Sequence, residues 1–394
     1  MQVDLPQPDA DAARHSEQLA ALLREEILAS GGFMPFQRFM ERCLYAPGLG
    51  YYSAGSTKFG EQGDFVTAPE LGPLFAACVA DALAPVLREL GPQAEVVELG
   101  GGSGAFADVV LKRLLQLDAM PARYAILEPS ADLRQRQRER LQQRLIPPVF
   151  DCVEWLDGPP NERWKGVLFA NEVIDALPAS RFVLKEGEVF EEGVALDGMG
   201  NFVRADRPAD ALLSASVRHL ERYLELPFTD GYRSEVLPQL PYWVQAVMGG
   251  LDAGAMLFVD YGYPRREYYL PQRSDGTLRA FYRHRMHEDA YRWPGLQDLT
   301  ASVDFTALAE AGTGAGFDLA GYCTQSSFLL GNGIGERFEE AEARADEAGK
   351  LKLRNEVRKL TMPEGMGERF QVMGFTRDVT LDAAFLAGDL TWRL

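Results

Sequence analysis

The sequence is poor in cysteine and histidine and contains no long apolar run. Its four cysteines, Cys43, Cys78, Cys152 and Cys323, are scattered along 394 residues. None belongs to a CxxC pair, so neither a zinc site nor a disulfide framework is indicated. No apolar stretch approaches the roughly 20 residues that span a bilayer. Positive charge is also in deficit: 40 Lys and Arg against 58 Asp and Glu give a net charge of −18. Such a surface repels phosphate backbones and anionic lipid, which argues against nucleic-acid and membrane partners. Internal repeats and low-complexity tracts are missing too. The opening, "MQVDLPQPDADAARHSEQ", is acidic and polar, unlike a secretory signal. A reducing, cytoplasmic setting is the expectation.

What is present is a composition for folding, with 46% hydrophobic and 10% aromatic residues. The length suits one large domain with additions, or two domains. "DAARHSEQLAALLREEILASGG" predicts a helix ended by glycines, and an aromatic-rich segment follows it. A second helix carries Leu74, Val79, Leu83, Val86 and Leu90 at helical spacing. Short apolar strands then alternate with helices: "AEVVEL", "AFADVVLKRLLQL", "ARYAILEPS", "ADLRQRQRERLQQRL" and "WKGVLFANEVIDALP". "AGAMLFVDYGYP" repeats the strand-to-acidic-turn design. This rhythm predicts an α/β fold with a mostly parallel sheet covered on both faces. The expected organisation is an N-terminal extension over 1–62, a first core part over 63–181, and inserted antiparallel strands with a helix over 182–250. A second core part covers 251–394 and carries a loop insertion at 262–300.

The stretch "VVELGGGSG" is the chemical centre of this pattern. Gly100, Gly102 and Gly104 alternate, which lets the backbone turn sharply and approach a ligand closely. The helix expected from Ser103 would present its N-terminal N–H groups there. A nicotinamide dinucleotide fits the loose glycine spacing, because Ala105 satisfies the third position. Glu98 argues against it: a carboxylate at that strand end repels a pyrophosphate and attracts the ammonium and sulfonium of S-adenosyl-L-methionine. Glu128, followed by Pro129 at the next strand end, is placed to accept both ribose hydroxyl protons. Asp151 and Val153 in "VFDCVEWLDG" are candidates to frame the adenine after a third strand, with Glu154 or Asp157 as substitutes. At the fourth strand end, Asn171, Glu172 and Asp175 are candidate catalytic residues. Methyl transfer needs a positioned, desolvated nucleophile and a group to take its proton. Paired carboxylates also suit a guanidinium acceptor.

Taken together, "GDFVTAPEL" (63–71), "VVELGGGSG" (96–104), "ANEVIDALP" (170–178), "FVDYGYP" (258–264), "LTASVDF" (299–305) and "TQSSFLLGNGIG" (324–335) resemble the MidA-type family of S-adenosylmethionine-dependent methyltransferases. That family includes a mitochondrial complex I assembly factor assigned as a protein arginine methyltransferase. The resemblance implies a seven-stranded class I methyltransferase core with an inserted antiparallel region, and an arginine-bearing protein as substrate. It further implies that Thr67, Pro69 and Glu70 sit over the cofactor and acceptor site. Gly101 and Ser103 depart from the family's "ELGPGxG"; the glycine in place of proline is expected to loosen the turn. A non-catalytic or weakly catalytic assembly factor with this fold stays open as an alternative, as does the nicotinamide-dependent oxidoreductase. A homodimer is compatible with the sequence.

Other features point less sharply. His284 and His287 in "YRHRMHEDAYRWP" are read as part of a loop lining the substrate cleft rather than as metal ligands, and no metal is expected. Asp260 and Tyr261 are expected after the fifth strand, facing the cleft or forming a turn. The five arginines of 134–144 read as a solvated helix face.

Overall fold

In the computed structural model, which describes residues 5–54 and 67–394, Glu95–Leu99 (β1) buries Val96, Val97, Glu98 and Leu99 in succession. A strand buried on both faces belongs to a sheet covered on both sides. Its partners are Arg123–Leu127 (β2), Val153–Leu156 (β3), Trp164–Asn171 (β4) and Leu251–Tyr263 (β5), all parallel neighbours in the order β3-β2-β1-β4-β5. Asp318–Thr324 (β6) and Phe370–Arg377 (β7) complete the path as β5-β7-β6, with β7 antiparallel to both. A two-residue strand, Val303–Asp304, lies parallel beside the end of β5 and makes the sheet eight-stranded. The fold is therefore α/β with a mixed sheet. Chain order reverses between β1 and β4, and open α/β sheets bind ligands at the carboxyl ends of strands at such a switch point.

Helices cover this sheet. Leu74–Leu90 (α2) is apolar nearly all round, as a fully covered helix must be. A one-turn helix, Ala68–Leu71 (α1), precedes it. Ala105–Gln116 (α3) packs Phe106 face to face on Phe169 of β4, with ring centroids 4.0 Å apart. Ala131–Arg144 (α4) follows β2 and buries Leu133, Gln137 and Leu141 along one stripe. Two further charged helices, Ile334–Glu342 (α5) and Glu347–Thr361 (α6), lie in the C-terminal part. Val79, Val110, Val167, Leu257 and Leu360 belong to the common core.

The described chain divides into two compact units. Residues 67–173, Leu240–Pro264 and Val303–Leu394 make the sheet unit just described. The accessory unit gathers residues 5–54, Ile174–Gln239 and Arg265–Ser302. The breaks thus fall at 173/174, 239/240, 264/265 and 302/303. In the accessory unit, Glu188–Leu196 pairs antiparallel with Met34–Pro35, Ser180–Lys185 and Phe202–Pro208, and Arg233–Val236 pairs with Ser180–Lys185. A small sheet joins Arg279–Tyr282 to Arg285–His287 and Asp298–Thr300. Leu23, Phe39, Val194 and Leu299 share this unit's own core. No helix among the described residues is long and apolar enough to cross a membrane.

Candidate active site

Four strand ends form one row. Leu99 of β1 is paired with Ala170 of β4 on one side and Leu127 of β2 on the other, and Leu127 is paired with Leu156 of β3. The loops leaving these strands therefore start together, at the carboxyl edge of the switch point.

After β1, Gly100, Gly102 and Gly104 all take positive φ values of 66°, 53° and 79°, a region that side chains disfavour. Their surroundings differ. A Cβ at Gly100 would lie 3.1 Å from Val173, and one at Gly104 would be in ordinary van der Waals contact with Gln137, whereas one at Gly102 meets nothing within 4 Å. Gly102 marks the open side of the turn. Gly101 is constrained by packing: its Cβ would fall 2.7 Å from Ile126 Cγ2 and 3.1 Å from Gln137 Nε2. The glycine expected to loosen the turn instead lets two buried side chains close on it.

Glu98 is 3% exposed, a buried carboxylate at the strand end. Its Oε2 accepts a 2.8 Å hydrogen bond from the Tyr124 hydroxyl. Burial pushes the Glu98 carboxyl up to about 8; the Tyr124 bond opposes the rise and the charge of Glu128 adds to it. Removing a carboxylate from water without a cation costs free energy, and protonation is the usual escape. Glu128 is 4% exposed. The Ser130 backbone N–H donates to its Oε1 at 3.0 Å and Gln137 Nε2 to its Oε2 at 3.3 Å. Pro129, between them, restricts the backbone that presents Glu128, and the Ser130 hydroxyl caps α4.

At the end of β4, the Asn171 side-chain amide donates to Glu172 Oε1 at 3.0 Å, and the Glu172 N–H donates to the Val259 carbonyl of β5 at 2.9 Å. Glu172 has φ +53°. A glutamate held in left-handed backbone costs on the order of 1–3 kcal/mol and concentrates at functional sites. Asn171 Oδ1 is buried and has no hydrogen-bond partner among the described residues.

The site thus offers open space beside Gly102, two interacting carboxylates and a third carboxylate carried on left-handed backbone. A cation placed there would hold Glu98 ionised, and a vicinal diol matches the paired oxygens of Glu128. A diphosphate would add charge beside both. The residues fit a cationic nucleoside donor.

Comparison with known proteins agrees. Residues 78–323 match the family model described as "Putative S-adenosyl-L-methionine-dependent methyltransferase". The chain belongs to this methyltransferase family. It is 44% identical to a Burkholderia thailandensis protein whose crystal structure holds S-adenosyl-homocysteine, with a TM-score of 0.91 over 99% of this chain and 100% of that one. Among curated proteins, it is 28% identical to the Drosophila melanogaster protein arginine methyltransferase NDUFAF7 homolog, mitochondrial, covering 93% of this chain and 87% of the relative. The Danio rerio protein arginine methyltransferase NDUFAF7, mitochondrial, is 29% identical over 89% of this chain and 84% of its own length. Those mitochondrial names lend no support to the cytoplasmic expectation.

In this methyltransferase chain, residues 63–66 of the first motif lie outside the described residues, but Thr67, Pro69 and Glu70 do not. Thr67 is the N-cap residue of α1, and the Ser103 hydroxyl of the glycine turn donates to the Glu70 carboxylate. Arg140 Nη1 donates to the same Ser103 oxygen at 3.1 Å. The motif segment is therefore seated on the turn.

Several other readings need correction. Asp151 and Val153 are not at the strand ends. Val153 begins β3 and pairs with Tyr124, three residues before Leu127, so both stand about 10 Å or more back from the carboxyl edge at roughly 3.3 Å per residue. Leu156 and Asp157 occupy the edge instead. Asp175 lies in the accessory unit, 6% exposed. Burial and Asp298, with smaller effects from Tyr45 and Asp175, push the Tyr52 phenol well up, so Asp175 belongs with that tyrosine cluster. Asp260 and Tyr261 are inside β5, which continues to Tyr263, and Tyr261 meets Phe370 edge-on. His287 is buried in the small sheet, its Nδ1 accepting from the Asp289 N–H at 3.3 Å. Among the described residues, no group of three or more His, Cys, Asp or Glu side chains is placed to hold a metal.

The arginines of α4 are not merely solvated. Arg134 Nη1 donates to Asp157 at 2.7 Å, its other nitrogens bind the Glu128 and Leu156 carbonyls, and Arg138 stacks over Trp155 at 4.6 Å. Tyr124, Gln137 and Arg134 are the site residues that sequence reading missed. Only the Leu133–Gln137–Leu141 spacing, which puts a glutamine on an apolar stripe, could have signalled one of them.

Proposed function

We propose that this chain is a class I methyltransferase that methylates an arginine side chain of a protein. The seven-strand path β3-β2-β1-β4-β5-β7-β6 supports the class I reading. The names of the curated relatives, together with the carboxylate at the β4 end, support arginine. Glu98, the glycine turn and Glu128 would hold the cofactor, Glu98 facing its ammonium and Glu128 its ribose hydroxyls. When bound, S-adenosyl-L-methionine supplies a methyl group on a sulfonium, whose S–C electron pair stays with sulfur. Glu172 and Asn171 orient the acceptor guanidinium by charge-assisted hydrogen bonds. Glu172 takes the proton that the acceptor nitrogen loses as it gains the methyl group.

One observation carries this reading: Glu172 is held in left-handed backbone, beside the glycine turn, with its carboxylate steered by Asn171. Positioned proton transfer contributes about 10²–10⁴ in rate. Labelled-methyl transfer into cell proteins, with mass spectrometry to locate the modified residue, is therefore expected to fall by at least about 10² in Glu172→Gln. Undiminished methylation by Glu172→Gln, or methyl groups found only on residues other than arginine, would overturn the proposal.

A further inference from the structure

Gln137 is fully buried in the middle of α4, on a helix whose neighbours are almost all charged or polar. Burying a primary amide is costly unless its donors and acceptor are used, and those of Gln137 reach three separate elements. Trp155 Nε1 of β3 donates to Gln137 Oε1 at 2.8 Å. An indole N–H is only a donor, so it fixes which end of the amide is oxygen. Nε2 is thereby turned the other way, donating to the Gly102 carbonyl at 2.9 Å and to Glu128 Oε2 at 3.3 Å. The same amide stands 3.1 Å from where a Cβ at Gly101 would lie, and the Gln137 Cα stands 3.4 Å from one at Gly104.

We infer that Gln137 is the positioning residue of the nucleoside site: it locks the Glu128 carboxylate to the glycine turn and so sets selectivity for a ribose with both hydroxyls. This rests on the methyltransferase reading above, and it adds that selectivity depends on a residue with no exposed surface. With the Gln137 amide in place, Ser130 N–H and Gln137 Nε2 each hold one Glu128 oxygen, which fixes the plane in which the carboxylate meets a diol. Without it, Glu128 keeps its charge and the Ser130 bond but loses the Gln137 donor on Oε2, and the Gly102 carbonyl loses the same donor.

The test compares the affinities of S-adenosylhomocysteine and its 2′-deoxy analogue by calorimetry. In the wild type, the ribose form is expected to bind about 10-fold or more tighter, as a lost hydrogen bond to a charged group implies. Gln137→Met, close in volume and without polar atoms, should reduce this ratio by about 10-fold, and Glu128→Gln should largely abolish it. In the double variant the ratio should be no lower than in Glu128→Gln alone, because coupled neighbours are not additive. Trp155→Phe, which removes the N–H that orients the amide together with part of the ring beneath Arg138, should reduce the ratio about 3-fold and serves if Gln137→Met does not fold. A merely structural role would weaken both ligands equally, and an unchanged ratio in the folded variants would overturn the inference. Failure of the wild type to bind S-adenosylhomocysteine at all would instead overturn the methyltransferase reading.

Discussion

In the accessory unit, Glu192 and Glu235 are each 1% exposed and both lie against Arg181, itself 2% exposed. Arg181 Nε donates to Glu192 at 2.9 Å, its Nη1 donates to Glu235, and Nη2 reaches Asp275 at 3.0 Å. Arg233 adds a second cation to Glu192 at 2.8 Å. Glu235 also accepts from the Thr277 N–H at 2.8 Å. In the sheet unit, Glu98 is 3% exposed, and its one described hydrogen-bond donor is a neutral tyrosine hydroxyl. Both units bury carboxylates and pair some of them with cations, as the sheet unit does for Asp108 with Lys112 and Arg144, but among the described residues Glu98 is given a hydroxyl in place of the cations that Glu192 and Glu235 receive. A compensated buried charge serves the fold; an uncompensated one keeps its stabilisation in reserve for a ligand.

The accessory cluster can be broken from its centre. Burial alone would lower the Arg181 pKa; Glu235, Glu192 and Asp275 more than reverse that. Removing one partner of a buried ion pair strands the others, at a cost of about 3–5 kcal/mol. Arg181→Met is therefore expected to lower unfolding stability by about that amount in denaturant titration. An effect below about 1 kcal/mol would mean that Arg233 and solvent compensate the carboxylates, and the contrast with Glu98 would weaken.

Glu98 should behave in the opposite sense. Its carboxyl is raised from 4.5 to about 8, so the folded protein holds a proton that the unfolded chain has released. Stability from this group is present below pH 4.5 and is lost as pH rises through 8. Glu98→Gln should thus leave the ligand-free protein as stable as wild type in acid and more stable at pH 9, where Arg181→Met is harmful. Its cost should appear in binding. A cationic amino group favours the ionised carboxylate, so wild-type affinity for S-adenosylhomocysteine should rise about tenfold or more between pH 6 and 8.5. Calorimetry that finds the same slope in Glu98→Gln would assign the pH dependence to another group.

These differences bear on what the sequence made legible. β1 and α2 were readable because burial on every side leaves continuous apolar runs in "AEVVEL" and in Leu74–Leu90. Glu98, Glu128, Asn171 and Glu172 were readable because each is a polar residue ending such a run. β3 was misplaced because it is an edge strand with no fully buried residue. Val153–Leu156 therefore carries little pattern, and nothing local tells that Asp151 precedes the strand instead of ending it. The extent of β5 was hidden because pairing with Phe370 and Val303, far along the chain, carries it past Asp260. Gln137 escaped because charge dominates α4 and one buried amide does not alter its periodicity. The accessory unit joins three distant segments, and its Arg181 cluster depends on residues from 181 to 275 that no local window contains.

Glu356 of α6 offers an intermediate case and the smallest expected effect. It is 3% exposed, and its Oε1 accepts from the Leu74 N–H at 2.7 Å, at the first turn of α2. Its neighbour is a helix N-terminus, with roughly half a positive charge, instead of a whole guanidinium or a lone hydroxyl. Burial raises its carboxyl to about 7 and the Leu74 bond partly opposes this, a smaller rise than that of Glu98. The sign is the same: stability is present below pH 4.5 and is lost as pH rises through 7. Glu356→Gln keeps an acceptor for Leu74 and removes the titration. Relative to this variant, the wild-type Tm should fall by about 2–4 °C between pH 5 and 8, read by scanning calorimetry. A wild type that instead gains on the variant over that range would show the helix N-terminus fully compensating the charge, placing Glu356 with Glu192 and Glu235 rather than with Glu98.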